Sequence, residues 1–458
     1  MKSIYYLIPI VVVGILYYFF FKSGRNYVFS GKDWFKKTRF DNTWLMLMSL
    51  LATNLTISGG IVASISGTKY YGPWFLLAPL SAAIGLIVFS VFHSRLASCY
   101  NNKRFFLADV GSGEMSPVLV SFGLASIFIG SFLAGWEIHI ASQAIAAFYG
   151  EIKAISSNIF IISLVIAVLA GLYISRGGWD RSVFTDIVQT ISVSVFVFLL
   201  ALALMSEPNG TYIAPKAVDI STLSLWLFGA ALFINNIGYS LVSPNNWQIA
   251  QSSGSLTGRL FIVGGVLLFL FSASVYFLSG YIVAASPFAI FLNIDFITAL
   301  LVAVVPLFVW STIDTSSVAL SNLADRMLSP HIDDSDKEGE KLKNAIRKNY
   351  PLLFLIAAVL VSHILNTFQP NIFLSLLGAT SSLIVFVPVI YAGLFTDNSH
   401  YLYSVPCSFA MFALFAVVVI SSITLTLVGV GEWIFALSVA GFLGGSGIVY
   451  FFNQKGVQ

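Results

Sequence analysis

The sequence is poor in charge, and this shortage excludes most classes of soluble protein. Only 9% of its 458 residues are Asp, Glu, Lys or Arg, against about 25% in ordinary globular chains. Hydrophobic residues make up 58%, and the mean hydropathy is +0.89. A water-soluble core cannot hold so much apolar surface, so the remainder must face lipid. A soluble enzyme, a secreted module and a disordered tail are therefore excluded.

Other absences limit the possible chemistry. The two cysteines, Cys99 and Cys407, are far apart and form no CxxC pair, so neither a disulfide framework nor a zinc ribbon is indicated. The five histidines form no HExxH motif, and no GxxxxGK[ST] loop is present to hold ATP. The net charge is only +3 and the basic residues are scattered over short loops, which is unlike a nucleic-acid-binding protein. No metal cluster or nucleophile–base pair in the sequence points to a membrane enzyme.

Long hydrophobic runs are abundant. A hydrocarbon core of about 30 Å requires about 20 apolar residues per helix, and thirteen runs have this length. The first has no small-residue cleavage site after it, so we interpret it as a retained helix rather than a signal peptide. The predicted spans are 4–21, 43–67, 73–93, 117–147, 157–175, 183–205, 223–243, 259–284, 296–324, 350–367, 371–395, 403–429 and 432–452.

The distribution of Lys and Arg predicts the orientation. Cytoplasmic loops of membrane proteins are enriched in basic residues. With the N-terminus outside, 19 of the 23 Lys and Arg residues fall in cytoplasmic loops and 4 fall outside. The sequence therefore predicts a multi-pass protein of the cell membrane, with the N-terminus outside and the C-terminus in the cytoplasm. The polar stretch 325–349 is interpreted as a cytoplasmic linker or amphipathic helix.

Two predicted helices carry polar and glycine residues at mid-depth. The cluster is 52–60 in the span 43–67, and it is 235–238 (Asn-Asn-Ile-Gly) in the span 223–243. Such clusters are costly in lipid unless they face protein or water. They lie five helices apart, so a repeat of five helices would insert inverted, and paired interruptions of this kind indicate a transporter site. We expect both helices to be interrupted there. The alternative is a seam of small residues where helices pack.

The span 296–324 contains an oxygen-rich segment. Five hydroxyls and one carboxylate lie in the seven residues from Ser311 to Ser317. The spacing places Ser311, Asp314 and Thr315 on one helical face. Hard cations such as sodium prefer oxygen ligands, so this face predicts a cation site. A lone membrane serine would instead bond back to its own helix.

Five stretches, in order along the chain, resemble the sodium/solute symporter family, which includes proline, pantothenate, sialic-acid and sugar symporters. Residues 311–315 (Ser-Thr-Ile-Asp-Thr) are close to the family's Ser-Thr-Ala-Asp-Ser. Residues 177–189 are similar to its Gly-Gly…Thr-Asp-x-x-Gln signature. The other three are 52–72, which looks like the first core helix, 247–253, a weaker match to a Gln-Arg…Ala-Ala-Lys-Ser loop, and 378–393, which resembles the tenth core helix.

The resemblance implies an all-α integral membrane protein with a leucine-transporter-type core, in which five helices are followed by five more in inverted repeat. It places an extra helix and a basic loop at 1–42, the repeats at 43–205 and 206–395, and two further helices at 396–458. The implied activity is sodium-coupled import of a small polar organic solute by alternating access, without enzyme activity or an organic cofactor.

The resemblance also implies two sites for co-transported sodium. The first would use backbone carbonyls of the broken first core helix and oxygens of the eighth. The second would use the signature aspartate and further oxygens of the eighth core helix. The implied ligands are Ala52, Leu55, Phe308, Ser311 and Thr312 for the first site, and Asp186, Ser311, Asp314 and Thr315 for the second.

Glu137 lies in the middle of the span 117–147. A charge at this depth costs about 2.5–3.5 kcal/mol and faces a cavity or a partner. The sialic-acid members of the family have an Arg on this core helix that binds the substrate carboxylate, so the resemblance implies that a Glu there favours an amine or quaternary ammonium solute. Trp136 and Tyr239 could add cation–π contact. The alternative is a neutral structural Glu bonded to His139 or to the backbone. The residues predicted to line the solute site are Asn54, Thr56, Glu137, Asn235 and Tyr239.

The sequence departs from the family pattern in three places. Asn54 stands where proline transporters have Asp, and Gly59 and Ala78 stand where sugar transporters have a polar residue and a Glu. Proline and sugar are thus disfavoured. The segment before Asp325 is two residues shorter than is usual in the family. Two alternatives stay open: coupling to protons in place of sodium, and a solute-sensing membrane protein that kept the fold without coupled transport.

Overall fold

The computed structural model describes residues 2–23, 43–101, 117–150, 152, 158–206, 222–253, 257–279, 295–328, 337–368, 371–395, 404–428, 430 and 432–455. Within these ranges the regular structure is helical and no strand occurs. Ten helices of this part are long and apolar enough to cross a membrane, and two shorter apolar helices are Leu7–Tyr18 and Ile159–Leu172. The prediction of an all-α multi-pass protein is confirmed, whereas the count of thirteen spans stays a prediction.

The helices are numbered here along the chain. They are α1 (Lys2–Tyr5), α2 (Leu7–Ser23), α3 (Thr43–Asn54), α4 (Ala63–Tyr71), α5 (Leu77–Asn101), α6 (Pro117–Phe148), α7 (Ile159–Ser206), α8 (Thr222–Val242), α9 (Pro244–Ser253), α10 (Thr257–Ser279), α11 (Phe296–Leu328), α12 (Lys337–Phe368), α13 (Ile372–Ile384), α14 (Val387–Phe395), α15 (Val405–Val428) and α16 (Trp433–Lys455).

The first core helix is interrupted within the predicted cluster. Helix α3 ends at Asn54, and Thr56 is extended, with φ −88° and ψ 159°. A π-helical turn, Ile57–Val62, then leads directly into α4. The Thr56 hydroxyl caps this restart by accepting the backbone N–H of Gly59 at 3.0 Å. The break therefore leaves carbonyls at the end of α3 and N–H groups at the restart without helical partners.

The second predicted interruption, at 235–238, is wrong, because α8 is one unbroken helix from Thr222 to Val242. Its asparagine amides are bonded by neighbouring helices, so the backbone does not have to open. Gly238 lies against Ile384, and a Cβ at this position would lie 2.9 Å from the Ile384 Cγ2 atom. Gly238 is thus a packing contact between helices, and the chain leaves the helix only at Ser243.

Two predicted spans lie within α7, which is 48 residues long. A straight helix of that length would measure about 72 Å, more than twice the hydrocarbon thickness of about 30 Å. The Ile166 carbonyl accepts the Trp310 indole N–H at 3.2 Å, and Asp186 accepts the Ser311 hydroxyl at 2.5 Å. Twenty residues of straight helix span about 30 Å. Ile166 and Asp186 could not then both contact the adjacent residues Trp310 and Ser311. The segment therefore bends between Ile166 and Asp186.

Helix α11 lies at the centre of one half of the fold, against α7, α6 and α3. The other half packs α8 against α5, α13 and α16. Helices α5 and α8 approach closely at Gly85, where a Cβ would lie 2.6 Å from the Asn236 carbonyl oxygen. From Lys337 onward, the polar stretch 325–349 forms the first part of α12, which continues without interruption to Phe368.

Candidate functional site

A cavity of about 260 Å³ lies beside the break in the first core helix. Phe75 and Phe373 line one end, and Asn245 and Ser316 line the other. Glu137 is the one lining residue, among those described, with a formally charged side chain. The cavity brings together four of the five residues predicted for the solute site, which are Asn54, Thr56, Glu137 and Tyr239.

The fifth predicted residue, Asn235, lies outside this cavity and is fully buried. Its amide donates to the Ser381 hydroxyl at 2.7 Å and lies 3.4 Å from that of Ser438, so it joins α8 to α13 and α16. The neighbouring Asn236 lines the cavity instead and donates to the Ser81 hydroxyl at 2.7 Å. Adjacent helical residues point about 100° apart, and the sequence did not indicate which of the two faces inward.

The first predicted cation site converges on one atom. The Nε2 atom of Gln189 donates to the carbonyl oxygens of Ala52 at 3.0 Å and Leu55 at 3.2 Å, and it lies 3.4 Å from the Thr312 hydroxyl oxygen. The break leaves the carbonyls at the end of α3 without helical donors, which makes them available to this amide. Three oxygens directed at one point form the kind of donor set that a hard cation uses.

Two other predicted ligands of this site have different partners. The Phe308 carbonyl accepts the Thr312 hydroxyl at 3.0 Å. It is therefore linked to Gln189 only through Thr312. The Ser311 hydroxyl donates to Asp186, which places it in the second cluster. Sequence reasoning did not select Gln189, although it is the last residue of the signature-like segment 177–189 and could have been found there.

The second predicted site is a buried network of two carboxylates and several hydroxyls. Asp186 and Asp314 are 0% and 1% exposed. Thr315 contacts both of them, at 3.0 and 3.2 Å. Two carboxylates this close repel each other when both are charged, unless a cation or a proton lies between them. The hydroxyl partners are Ser49, Ser311 and Thr315 for Asp186, and Ser182, Thr185 and Thr315 for Asp314.

Glu137 has features of both predicted roles, solute binding and structural support, because it lines the cavity and is bonded to the backbone. Its carboxylate accepts the Ser58 backbone N–H, at 3.2 and 3.4 Å for its two oxygens, and also the Ser58 hydroxyl. His139 instead packs edge-on against Trp136, with ring centroids 5.5 Å apart.

An aromatic cluster packs beyond the end of the cavity formed by Phe75 and Phe373. Tyr71 stacks on Phe228 with ring centroids 4.5 Å apart, and it contacts Phe373 at 5.5 Å and Phe435 at 5.9 Å. Gly72 follows Tyr71 with φ 55°, a backbone conformation that favours glycine. These rings are all buried.

The described residues form a multi-pass helical membrane protein with a cavity beside a broken helix. No protein-family model matches the chain, and no curated protein matches its sequence. The chain is similar in structure to a Na+-coupled sialic acid symporter in a substrate-bound outward-open state (TM-score 0.61, 15% identity, covering 92% of this chain and 97% of that one).

The chain is also similar to a manganese transporter of Eremococcus coleocola in complex with an aromatic bis-isothiourea substituted compound (TM-score 0.50, 12% identity, covering 90% of this chain and 95% of that one). At these identities the likeness concerns the fold alone. A transporter fold is therefore confirmed, and membership of the sodium/solute symporter family stays a prediction. No group of three or more His, Cys, Asp or Glu placed to hold a metal ion occurs among the described residues.

Proposed function

We propose that this protein is a sodium-coupled secondary active symporter that imports a small polar organic solute, as members of the sodium/solute symporter family do. One observation carries the proposal. The break in the first core helix provides both the free carbonyls of Ala52 and Leu55, directed at Gln189, and a wall of the cavity that holds Glu137. A cation and a solute bound on the two sides of one break would each stabilise the same arrangement of the chain.

The first cation site joins three elements that alternating access would move relative to one another. Ala52 and Leu55 belong to α3, Gln189 to α7 and Thr312 to α11. The Gln189 amide now bridges them with hydrogen bonds of 3.0–3.4 Å. A sodium ion held by these oxygens and by the amide oxygen of a rotated Gln189 would favour one arrangement of the helices, which is how binding couples to conformation.

The Asp186–Asp314 network supports a second coupled ion. A sodium ion would relieve the repulsion between the carboxylates, and a proton shared between them would do the same. Proton coupling is therefore the second candidate for the driving ion, and the specific observation that favours it is the Thr315 hydroxyl, which contacts Asp186 at 3.0 Å and Asp314 at 3.2 Å. Either ion entering the cell gains about 2.3 kcal/mol per charge per 100 mV of membrane potential.

We further propose that the protein lies in the cell membrane with its N-terminus outside and its C-terminus in the cytoplasm. In that orientation the aromatic cluster around Tyr71 lies on the outer side of the cavity, and the end lined by Asn245 and Ser316 lies on the cytoplasmic side. The arrangement described here would then be the one that releases solute inward, and opening the aromatic cluster would admit solute from outside.

Thermal unfolding of the purified protein tests the coupled ion. Sodium chloride should raise the unfolding temperature above its value in potassium chloride at the same ionic strength. Thr312→Val removes one hydroxyl at nearly constant volume, and the half-saturating sodium concentration should rise about tenfold. Loss of one oxygen ligand of the ion should cost about as much as loss of a hydrogen bond to a charged group, which is about 1.5–3 kcal/mol.

Thr312→Ser is the matched control and should restore the response to sodium. Ser321→Ala is a second control, since this buried α11 hydroxyl has no hydrogen-bond partner in the described structure. If acidification raises the unfolding temperature and the two salts give the same value, the coupled ion is a proton and not sodium. An identical response to both salts at every pH would contradict ion coupling through this site.

A further inference from the structure

We infer that the solute carries a positively charged nitrogen, and that Glu137 is both its counter-ion and the internal group that prevents a solute carboxylate from binding at the helix break. This inference rests on the proposed function, because it assigns the chemical class of solute that the same cavity transports. It follows from the position of Glu137, from its donors and from the composition of the cavity wall.

The N–H groups at the restart of the first core helix already have an acceptor. An exposed helix start favours negative charge, because its N–H groups have no helical partner. Here the Glu137 carboxylate accepts the Ser58 backbone N–H and hydroxyl, and Thr56 caps Gly59. A solute carboxylate would have to displace Glu137 and lie beside it, where the two like charges would repel each other.

No cationic side chain compensates Glu137 within the described cavity wall, which contains no Lys, Arg or His. Glu137 is 2% exposed, so bulk water screens its charge poorly, and a cation inside the cavity would interact strongly with it. An ammonium or quaternary ammonium group of the solute would supply that cation.

The rest of the wall suits such a group. Tyr239, Phe75 and Phe373 line the same cavity, and aromatic faces attract ammonium groups by cation–π interaction. The remaining polar lining groups are neutral amides and hydroxyls, such as those of Asn236 and Ser316. These can orient a polar tail and do not favour an anion.

The charge preference of the cavity can be measured without knowing the solute. Ser316→Cys, with Cys99 and Cys407 replaced by alanine, places one thiol on the cavity wall of the full-length protein in sodium-containing nanodiscs. Its reaction rates are compared for a methanethiosulfonate carrying trimethylammonium, one carrying sulfonate and a neutral one. We expect the cationic reagent to be favoured roughly tenfold over the anionic one, relative to their rates with free cysteine.

Glu137→Gln keeps the size of the side chain and should remove most of this preference. Glu432→Gln makes the same charge change at an exposed position outside the cavity wall and should leave it intact. If Glu137→Gln does not fold, the ratio of cationic to anionic reaction rates measured with Glu137 present still tests the inference. A ratio near one or in favour of sulfonate, or a thiol that even the neutral reagent does not reach, overturns the inference.

A second arm uses compounds of one shape and different charge. Choline should protect the Ser316→Cys thiol from the neutral reagent, its uncharged isostere 3,3-dimethyl-1-butanol should protect at least tenfold less well, and Glu137→Gln should abolish the difference. Equal protection by both compounds, or by neither, overturns the inference. The sodium-dependent unfolding temperature is measured on the same samples, so a lost sodium response marks failure of the proposed function instead.

Discussion

At the scale of single residues, short hydroxyl side chains surround the acidic groups of the site. Asp186, Asp314 and Glu137 each accept at least one Ser or Thr hydroxyl. Such donors satisfy a buried carboxylate without bringing in a compensating charge. A bound cation can then change the net charge of the network.

Ser311 and Asp314 provide a test of this network. If two sodium ions bind, the Hill coefficient for sodium should exceed one, and Asp314→Ala should lower it towards one while the first site still binds. Ser311→Ala removes the 2.5 Å hydrogen bond to Asp186 and should raise the half-saturating sodium concentration by about tenfold or more. Radioactive sodium binding to purified protein measures both quantities.

Ser321→Ala is the control for the Ser311 change, because it removes a hydroxyl from the same helix without breaking a hydrogen bond to a described partner. A Hill coefficient of one in the unmodified protein, unchanged by Asp314→Ala, would indicate that the Asp186–Asp314 network holds no second sodium ion.

At the scale of elements, the two polar clusters predicted to break helices behave differently. The chain is interrupted after α3, whereas α8 is continuous. The cluster near Thr56 has its donors and acceptors directed at a cavity and at Gln189, so the backbone opens. The cluster at Asn235 is held by the neighbouring helices α13 and α16, so the backbone of α8 stays helical.

The adjacent pair Asn235 and Asn236 tests this distinction. In a background without Cys99 and Cys407, Asn236→Cys should be labelled by a small maleimide through the cavity. Asn235→Cys should remain unlabelled in the folded protein, because Asn235 is 0% exposed between helices. Labelling is followed by mass spectrometry, with unfolded protein as the control for thiol reactivity. Labelling of Asn235→Cys at a comparable rate would place it on the solute pathway.

The aromatic cluster around Tyr71 is proposed to close the outer end of the cavity. Tyr71→Ala removes a ring that contacts Phe228, Phe373 and Phe435, and burial of an aromatic side chain typically contributes about 3–5 kcal/mol. We expect this change to raise the rate at which impermeant reagents reach Thr56→Cys from outside the cell. Tyr71→Phe keeps the ring and should not raise it. Equal rates for the two variants would mean that the cluster does not close the outer pathway.

At the scale of the whole molecule, orientation decides which end of the cavity faces the cytoplasm. The 19 to 4 distribution of basic residues predicts that Lys341 is cytoplasmic and that Lys69 lies on the outer side. Cysteines at these positions should react oppositely with an impermeant reagent in intact cells, Lys69→Cys directly and Lys341→Cys only after lysis. The reverse pattern would invert the direction of transport proposed here.

The sequence by itself determined that this is a helical membrane protein, because so many apolar runs of bilayer length leave no other way to cover the surface. It also located the break near Thr56 and the acidic residues of the candidate site, since polar groups are costly at bilayer depth wherever they occur. The Ser311–Thr315 spacing sufficed to place these side chains on one helical face.

Only the tertiary structure decided which groups those side chains meet. Asn235 and Asn236 are chemically identical, and the packing of α13 and α16 alone separates the structural residue from the cavity residue. Gln189 reaches the carbonyls of Ala52 and Leu55 because α7 lies against α3, a contact between residues more than 130 positions apart. Local periodicity carries no information about such distant pairs, because the packing of helices from different parts of the chain brings them together.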